Sequence, residues 1–284
     1  MKTEFECIPC AVNSYLRLCE TGVVKEELRE EILRKLLLLL SETSYELSPP
    51  ALGREIHRML RRELNNPDPY KAIKERFNKQ IMDLVPELEK KITDSDDSFN
   101  TALRLAIAGN VIDFGAKYQY NILEAISQIL DKKLAVDHSE ILREALSKAD
   151  SLMYIGDNCG EIVMDKLFLQ QMDVAKKYFV VRGAPIINDV TIEDASFVQM
   201  EQVADVITTG DDSPGVAWDT SSKEFKDLFG KVDVVISKGQ GNLEGLIEIP
   251  HPNIYFLFVT KCELIGERMG TTKGDYVVRK GTMK

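Results

Sequence analysis

The second half of this 284-residue chain alternates short apolar runs with stretches long enough to form helices. β-branched residues are frequent in the runs, and a helical pattern follows each of the first four. Consecutive parallel strands need a long crossover, usually a helix, so the alternation predicts βαβ units. We therefore expect an α/β fold with a mostly parallel sheet and helices on both faces. The predicted strands are Leu152–Ile155, Tyr178–Val181, Asp205–Thr208, Val232–Ile236 and Ile254–Val259.

The first half shows helical spacing and almost no strand signal from about residue 8 to residue 148. Apolar residues recur three or four positions apart, as in Leu28, Ile32, Leu36 and Leu40. We predict an all-α N-terminal domain over residues 1–148 and an α/β domain over residues 149–284. The boundary is expected within residues 131–151, and the second domain is expected to carry most of the functional site.

Charge and composition exclude several classes of protein. The chain has 36 basic and 46 acidic residues, a net charge of −10, which argues against general binding to nucleic acids or anionic membranes. No apolar stretch approaches the roughly 20 residues that span a membrane. The five cysteines make a disulfide framework unexpected. These observations predict a cytoplasmic protein that acts on a small molecule, and they leave the oligomeric state open.

Polar residues follow each predicted strand, where ligands bind in an open parallel sheet. Carboxylate and amide oxygens without a nearby histidine suit a hard divalent cation such as Mg²⁺ or Mn²⁺. Lys238 lies in a glycine-rich turn, where a lysine and backbone N–H groups together could bind phosphate. This combination favours phosphoryl chemistry over hydride transfer. The segments are GDNCGE (156–161), RGAP (182–185), NDVT (188–191), GDDSPG (210–215), SKGQGN (237–242) and TKCE (260–263).

The common nucleotide-binding motifs are missing. No G-x-G-x-x-G follows the first predicted strand, and no Walker A sequence occurs. Asp157 is followed by Asn158 and Cys159 rather than by a second aspartate two positions on. That pattern argues against an aspartyl-phosphate intermediate.

Two further motifs leave alternatives open. In GNVIDFG (109–115), Asn110 and Asp113 share a helix face, and the flanking glycines indicate close packing, ligand approach or a polar helix end. Cys7 and Cys10 form a single C-x-x-C, which supplies half of a structural zinc site. Metal binding, redox chemistry and two buried thiols opening a helix all fit, and we favour the structural role.

Several of these motifs occur in an order that resembles the damage-control phosphatase family, long called domain of unknown function 89. The resemblance spans nearly the full length, and the N-terminal C-x-x-C is similar to one branch of the family. It implies a helical N-terminal region with a Rossmann-like domain, and a metal-dependent phosphatase acting on phosphometabolites. The motifs are the C-x-x-C, GNVIDFG, GDNCGEIVMD, INDVTIEDA, GDDSPG and SKGQGNLEGL.

The resemblance also implies roles for individual residues. Asp157, Asn158 and Asp189 fall on the family's metal ligands, and Lys238 falls on its phosphate-binding lysine. Asn242 lies close to a family amide, and Asn110 and Asp113 match a segment lining the same cleft. Gln240 stands where acidic residues are common in related branches, so no substrate-specific residue is transferred.

Our hypothesis from the sequence is a hydrolase of small phosphomonoesters of the sugar-phosphate or nucleotide type. Asp157, Asn158 and Asp189 would hold Mn²⁺, Mg²⁺, Co²⁺ or Ni²⁺, and Asp157, Asp189 and Lys238 would be the catalytic residues. Lys238, Asn242, Asn110 and Asp113 would contact substrate or phosphate. The alternatives are a methyl- or other group transferase on a similar sheet, and a non-catalytic sensor of phosphometabolites.

Overall fold

The computed structural model describes residues 1–109, 126 and 130–281. Asn110 and Asp113 lie outside these ranges. The helical region contains α1 (Cys7–Glu20), α2 (Arg29–Glu42), α3 (Pro49–Glu63), α4 (Lys71–Met82), α5 (Val85–Thr93) and α6 (Ser98–Gly109). None of the helices in these ranges is long and apolar enough to cross a membrane.

The α/β region contains seven strands and six helices within the described ranges. The strands are β1 (Leu134–Asp137), β2 (Ser151–Ile155), β3 (Lys176–Val181), β4 (Asp205–Thr208), β5 (Val234–Lys238), β6 (Ile254–Val259) and β7 (Tyr276–Lys280). The helices are α7 (Ser139–Leu146), α8 (Glu161–Leu169), α9 (Ile192–Phe197), α10 (Lys223–Phe229), α11 (Gln240–Leu246) and α12 (Glu263–Met269).

The strands form one sheet in the order β1-β7-β6-β5-β2-β3-β4. β2 pairs in parallel with both β3 and β5, and β4 and β6 extend the parallel sheet on either side. β7 is antiparallel to β6 and parallel to β1. The prediction of a mostly parallel α/β sheet is confirmed.

Two strands were not predicted. β1 lies in the segment assigned to the helical region, and β7 follows the last predicted strand. β1 has four residues, of which only Leu134 is buried, so it lacks an apolar run that could identify it. β7 combines buried Tyr276, Val277 and Val278 with partly exposed Arg279 and Lys280, a short pattern that periodicity alone does not distinguish from a turn.

Residues alternate across the sheet between two cores, because successive strand residues point to opposite faces. On one face, Tyr154 and Ile236 pack with α4, α6 and α8. On the other face, Met153 and Val235 pack with Phe225 and Phe229 of α10. The first core thus joins the helical region to the sheet, whereas α1, α2 and α3 share a third core among themselves. The predicted boundary near residue 148 remains a prediction.

Candidate active site

The candidate site lies where the chain direction across the sheet reverses. From β2 the chain continues through β3 and β4 to one edge, and it returns to β5 on the other side of β2. At such a switch point the loops after two adjacent strands diverge and leave a crevice for ligands. Asp157 follows β2, and Gly239 follows β5. The topology therefore positions the predicted metal ligands at the most favourable point of the sheet edge.

Backbone hydrogen bonds join the loops after β2 and β3. Asn158 and Asp189 form an isolated antiparallel bridge, and the Val190 N–H donates to the Asp157 carbonyl at 3.0 Å. Ile187, two residues before Asp189, has φ +42°, a conformation that β-branched residues rarely adopt. Loops remote in sequence are thus held together, and Asp157 and Asn158 lie beside Asp189. Their shared role as metal ligands stays a prediction.

The Asp189 carboxylate is buried and held by two donors on one oxygen. Arg182 Nε donates to Oδ2 at 2.7 Å, and the Gly215 N–H, from the GDDSPG loop, donates to the same oxygen at 3.1 Å. The Arg182 guanidinium also lies 3.8 Å from Asp157 Oδ1. The Arg182 guanidinium therefore lies next to both carboxylates.

Asp157 and Asn158 are in contact with Gly239, which follows β5, and with Glu161 of α8. Asn158 Nδ2 donates to Asp157 Oδ2 at 2.7 Å and to Glu161 Oε2 at 3.0 Å. Gly239 has φ +77°, and a Cβ there would lie 1.9 Å from Asp157 Oδ2. Only glycine lets the backbone approach this carboxylate so closely. Both N–H groups of Asn158 Nδ2 are therefore used by carboxylates of neighbouring residues.

Lys238 is completely buried and lies within a cluster of acidic side chains. Its Nζ donates to Glu161 and Asp165, each at 2.5 Å, and to the Ala106 carbonyl at 2.8 Å. β5 extends two residues beyond the predicted strand, so Lys238 is the last strand residue rather than part of the turn. Alternation places it on the face covered by α6 and α8. Its assignment as the phosphate-binding residue stays a prediction.

Asn242 is buried on α11 and uses its side chain within the protein. Its Nδ2 donates to the carbonyls of Gly156 at 3.0 Å and Lys238 at 2.6 Å, and its Oδ1 accepts from Arg182 Nη2 at 3.1 Å. These contacts join the ends of β2 and β5 and position Arg182. The predicted contact between Asn242 and substrate is not tested.

Burial dominates the electrostatics of both carboxylate clusters. Desolvation raises the pKa of Asp189 to about 6, although Arg182 opposes the shift and Asp157 adds to it. Desolvation also raises the pKa of Asp165 to about 7 against the effect of Lys238. The pKa of Lys238 lies above its ordinary value, because Asp165 and Glu161 outweigh its own desolvation. Each cluster contains two buried acids for one buried cation.

The donor set fits an oxygen-ligated divalent ion. Asp157, Asn158 and Asp189 provide carboxylate and amide oxygens, which hard cations prefer. Both carboxylates are buried and lie against the Arg182 guanidinium, and buried carboxylates need an opposite charge or a metal nearby. Within the described ranges, no group of three or more His, Cys, Asp or Glu residues could hold a metal. A site built from these three residues would use the Asn158 amide oxygen beside the two carboxylates.

The helical region contacts the loop after β2 and the start of α9 through α4. Asn78 Oδ1 accepts from the Gly160 N–H at 2.6 Å, and Asn78 Nδ2 donates to Asp194 at 3.0 Å. Lys74 lies 3.5 Å from the same Asp194 carboxylate. Gly109, at the end of α6, packs against Glu161, since a Cβ there would lie 2.9 Å from Glu161 Cα. Close packing against Glu161 therefore explains the glycine at position 109.

Arginines of α3 contact the GDDSPG loop. Arg58 Nη2 lies 2.6 Å from Asp212, and Arg61 also pairs with Asp212. Arg54 reaches the buried Asp211 at 3.2 Å. These ion pairs attach the helical region to the loop whose Gly215 contacts Asp189.

The cysteines show no arrangement for nucleophilic catalysis in the described part of the chain. Burial raises the pKa of Cys159 well above its ordinary value, which disfavours the thiolate. Its Sγ lies 3.9 Å from the Asp189 carbonyl. This agrees with the prediction that Cys159 is a small loop residue. Cys7 is partly buried and Cys10 exposed at the start of α1, and both are free thiols.

Sequence reasoning gave no role to Arg182, Asp165 or Tyr154. Arg182 directly follows β3. A charged residue at the end of a buried strand could have been recognised in the sequence as a candidate site residue. Asp165 is four residues after Glu161, so both point from the same face of α8. Tyr154 donates to Asp165 at 2.6 Å, and no local pattern marks a tyrosine inside an apolar strand.

Comparison with known proteins covers nearly the whole chain. The family model of the damage-control phosphatase ARMT1-like domain matches residues 3–277. An uncharacterized protein of Methanocaldococcus jannaschii is 34% identical over 297 residues, covering 99% of this chain and 96% of that protein. A damage-control phosphatase of Pyrococcus horikoshii is 33% identical over 292 residues, covering 100% of both chains. The crystal structure of a Pyrococcus horikoshii protein of the family of domain of unknown function 89 has a TM-score of 0.89 at 32% identity, covering 99% of this chain and 100% of that one.

Proposed function

Because the chain belongs to the ARMT1-like damage-control phosphatase family, we propose that it hydrolyses small phosphomonoesters with a divalent metal. The substrates would be phosphometabolites of the sugar-phosphate or nucleotide type. The observation that carries the proposal is the convergence of Asp157, Asn158 and Asp189 at the switch point of the sheet. A curated relative at 33% identity is named a damage-control phosphatase.

In this proposal the side chains bind and orient, and the reaction is a transfer of the phosphoryl group to water. Asp157, Asn158 and Asp189 would hold Mn²⁺, Mg²⁺, Co²⁺ or Ni²⁺. A bound divalent ion would supply Lewis acidity, which polarises the phosphoryl group and makes water a better nucleophile. Arg182 and the Gly215 N–H fix Asp189 Oδ2, so the other carboxylate oxygen is presented to the ligand. Preorganised ligands of this kind need little rearrangement during the reaction.

The test is hydrolysis by metal-stripped protein. We expect no release of phosphate from p-nitrophenyl phosphate without metal, and activity after addition of Mn²⁺, Mg²⁺, Co²⁺ or Ni²⁺. Asp189→Asn should lower kcat/KM at least about a hundredfold, since the loss of a ligand exceeds the usual effect of losing a residue that supports one. A panel of sugar and nucleotide phosphomonoesters then identifies the substrate class.

The matched control is Asp205→Asn, at the opposite end of the parallel strands, where Asp205 begins β4 and is exposed. Its activity should equal that of the wild type. Hydrolysis that persists without metal, or full activity of Asp189→Asn, would contradict the proposal. Tight binding of phosphate esters without turnover under any metal would instead indicate a sensor.

A further inference from the structure

A fully buried acid, Glu161, lies between a predicted metal ligand and a buried lysine. We propose that Glu161 is a positioning residue, which turns the Asn158 amide so that its oxygen, rather than its nitrogen, faces the metal ion. The inference rests on the proposed function, because it concerns the metal ligands of that same site. It extends the site to a residue outside the three ligands.

Glu161 uses its two carboxylate oxygens for different partners. Oε2 accepts from Asn158 Nδ2 at 3.0 Å, and Oε1 accepts from Lys238 Nζ at 2.5 Å. Lys238 is the last residue of β5, and it also bonds to Asp165 and to the Ala106 carbonyl. The lysine therefore anchors the carboxylate to the sheet, and the carboxylate in turn contacts the Asn158 amide.

The backbone also fixes Glu161 relative to Asn158. Glu161 begins α8, three residues after Asn158. The Ile162 N–H donates to the Asn158 carbonyl at 3.1 Å, which joins Asn158 to the first turn of the helix. Gly109 packs closely against Glu161, since a Cβ there would lie 2.9 Å from Glu161 Cα. Chain connection, a backbone hydrogen bond and packing thus hold the carboxylate beside the amide.

The orientation of the amide decides whether Asn158 can bind a metal. An asparagine side chain has one oxygen, which accepts, and one NH₂ group, which donates twice. Ions such as Mg²⁺ and Mn²⁺ bind the oxygen. Ionised carboxylates only accept hydrogen bonds, so Asp157 Oδ2 and Glu161 Oε2 both favour the orientation in which the nitrogen faces them. Turning the amide over would place its oxygen against two acids.

Two simpler explanations of an effect of Glu161 need controls. Loss of an acid could disturb Lys238, and a negative charge near the ion raises metal affinity whatever the orientation of the amide. Asp165 controls for the first, because it bonds to the same lysine at the same 2.5 Å, whereas its other described contact is Tyr154. Glu161→Asp controls for the second, because it keeps the charge on a side chain one methylene shorter. The shorter acid also leaves Lys238 a charged partner, which protects the fold.

The experiment is isothermal titration of the metal-stripped protein with Mn²⁺, which needs no turnover. Glu161→Gln should bind Mn²⁺ about tenfold to a hundredfold more weakly, the usual loss for a residue that orients a metal ligand. Glu161→Asp should lose nearly as much, since the shorter side chain cannot contact Asn158 and Lys238 together from the same backbone position. Asp165→Asn should bind Mn²⁺ as the wild type does.

A change at Asn158 gives the sharpest test, because it removes the need for orientation. In Asn158→Asp both side-chain oxygens can bind metal, and the side chain offers no N–H group to Glu161. Adding Glu161→Gln to this variant should leave its Mn²⁺ affinity unchanged or raise it, since the glutamine supplies a donor where two carboxylates repelled each other. Loss of charge or general damage to the site would lower the affinity in both backgrounds, so the sign of the effect identifies the role.

Wild-type Mn²⁺ affinity in Glu161→Gln or in Glu161→Asp overturns the inference, as does an equal loss in Glu161→Gln and Asp165→Asn. The same loss on adding Glu161→Gln to the wild type and to Asn158→Asp overturns it too. Failure of the proposed function looks different: Mn²⁺ affinities would follow the predicted pattern, yet no phosphate ester would be hydrolysed. A wild type that binds no Mn²⁺ overturns both.

Discussion

At the scale of single residues, the site consists of two linked charge clusters. Asp157 and Asp189 surround Arg182, while Glu161 and Asp165 surround Lys238. Asn158 connects them, because its amide donates to both Asp157 and Glu161. In each cluster two buried acids lie beside one buried cation. In the second cluster burial raises the pKa of Asp165, so that a proton can reduce the negative charge there.

The second cluster gives a prediction for the pH dependence of stability. Burial raises the pKa of Asp165 to about 7, so the native state retains a proton that the unfolded chain releases near pH 4. The stability that this proton confers is complete below about pH 4 and is lost as the pH rises through 7. The free energy of unfolding of the wild type, relative to Asp165→Asn, should fall by on the order of 2–4 kcal/mol over that range.

Chemical denaturation of both proteins at pH values from 5 to 8 measures most of this change. Asp165→Asn removes the titrating group and keeps an acceptor for the Tyr154 hydroxyl. Titrating groups remote from this cluster contribute equally to both proteins and cancel in the difference. If the difference in free energy of unfolding between the two proteins stays constant or rises with pH, Asp165 is ionised over the whole range.

At the scale of elements, helices of the first half hold the loops of the second. α4 contacts the loop after β2 through Asn78 and the first turn of α9 through Lys74, and α3 contributes three arginines to the GDDSPG loop. The loops are joined to one another by backbone hydrogen bonds and by contacts of Arg182 and Gly215. The arrangement of the candidate site thus depends on packing across the predicted domain boundary.

Asn78→Ala tests this dependence. It leaves the Gly160 N–H and one Asp194 oxygen without their partner, so we expect about 1–3 kcal/mol lower free energy of unfolding. The loop that carries Asp157 and Asn158 also loses a support, and Mn²⁺ affinity should fall about tenfold, as for other residues that orient metal ligands. Denaturation and isothermal titration measure the two effects.

The control is Asn100→Ala, near the start of α6, whose side chain bonds only to Arg104 in the described contacts. It should cost less than about 1 kcal/mol and leave Mn²⁺ affinity unchanged. Equal behaviour of the two alanine variants would mean that α4 does not support the metal loops.

The strands also show which elements can be predicted from local sequence patterns. Apolar periodicity predicted β2 to β6 because buried strands must be apolar on both faces. It missed β1 and β7, whose residues are too few or too polar for that signal. It also ended β5 at Ile236, two residues early, because a lysine resembles the start of a turn. Lys238 is inside the protein only because α8 supplies Glu161 and Asp165, which local sequence cannot show.

At the scale of the whole molecule, the direction reversal between β2 and β5 creates the site. Asp157 and Asp189 are 32 positions apart in sequence, and pairing of β2 with β3 brings their loops together. That both acids follow neighbouring parallel strands could be predicted from the sequence. The position of Arg182 between the two acids could not be predicted, because it depends on the direction of a buried side chain after three loops have packed together.

The central claim is that Asp157, Asn158 and Asp189 bind one divalent ion. Anomalous diffraction from crystals grown with Mn²⁺ tests it most directly, because the manganese signal locates the ion without reference to activity. The account predicts one strong peak within coordination distance of oxygens from all three side chains. A peak confined to other residues, or fully occupied Mn²⁺ that contacts Asp157 but not Asp189, would contradict it.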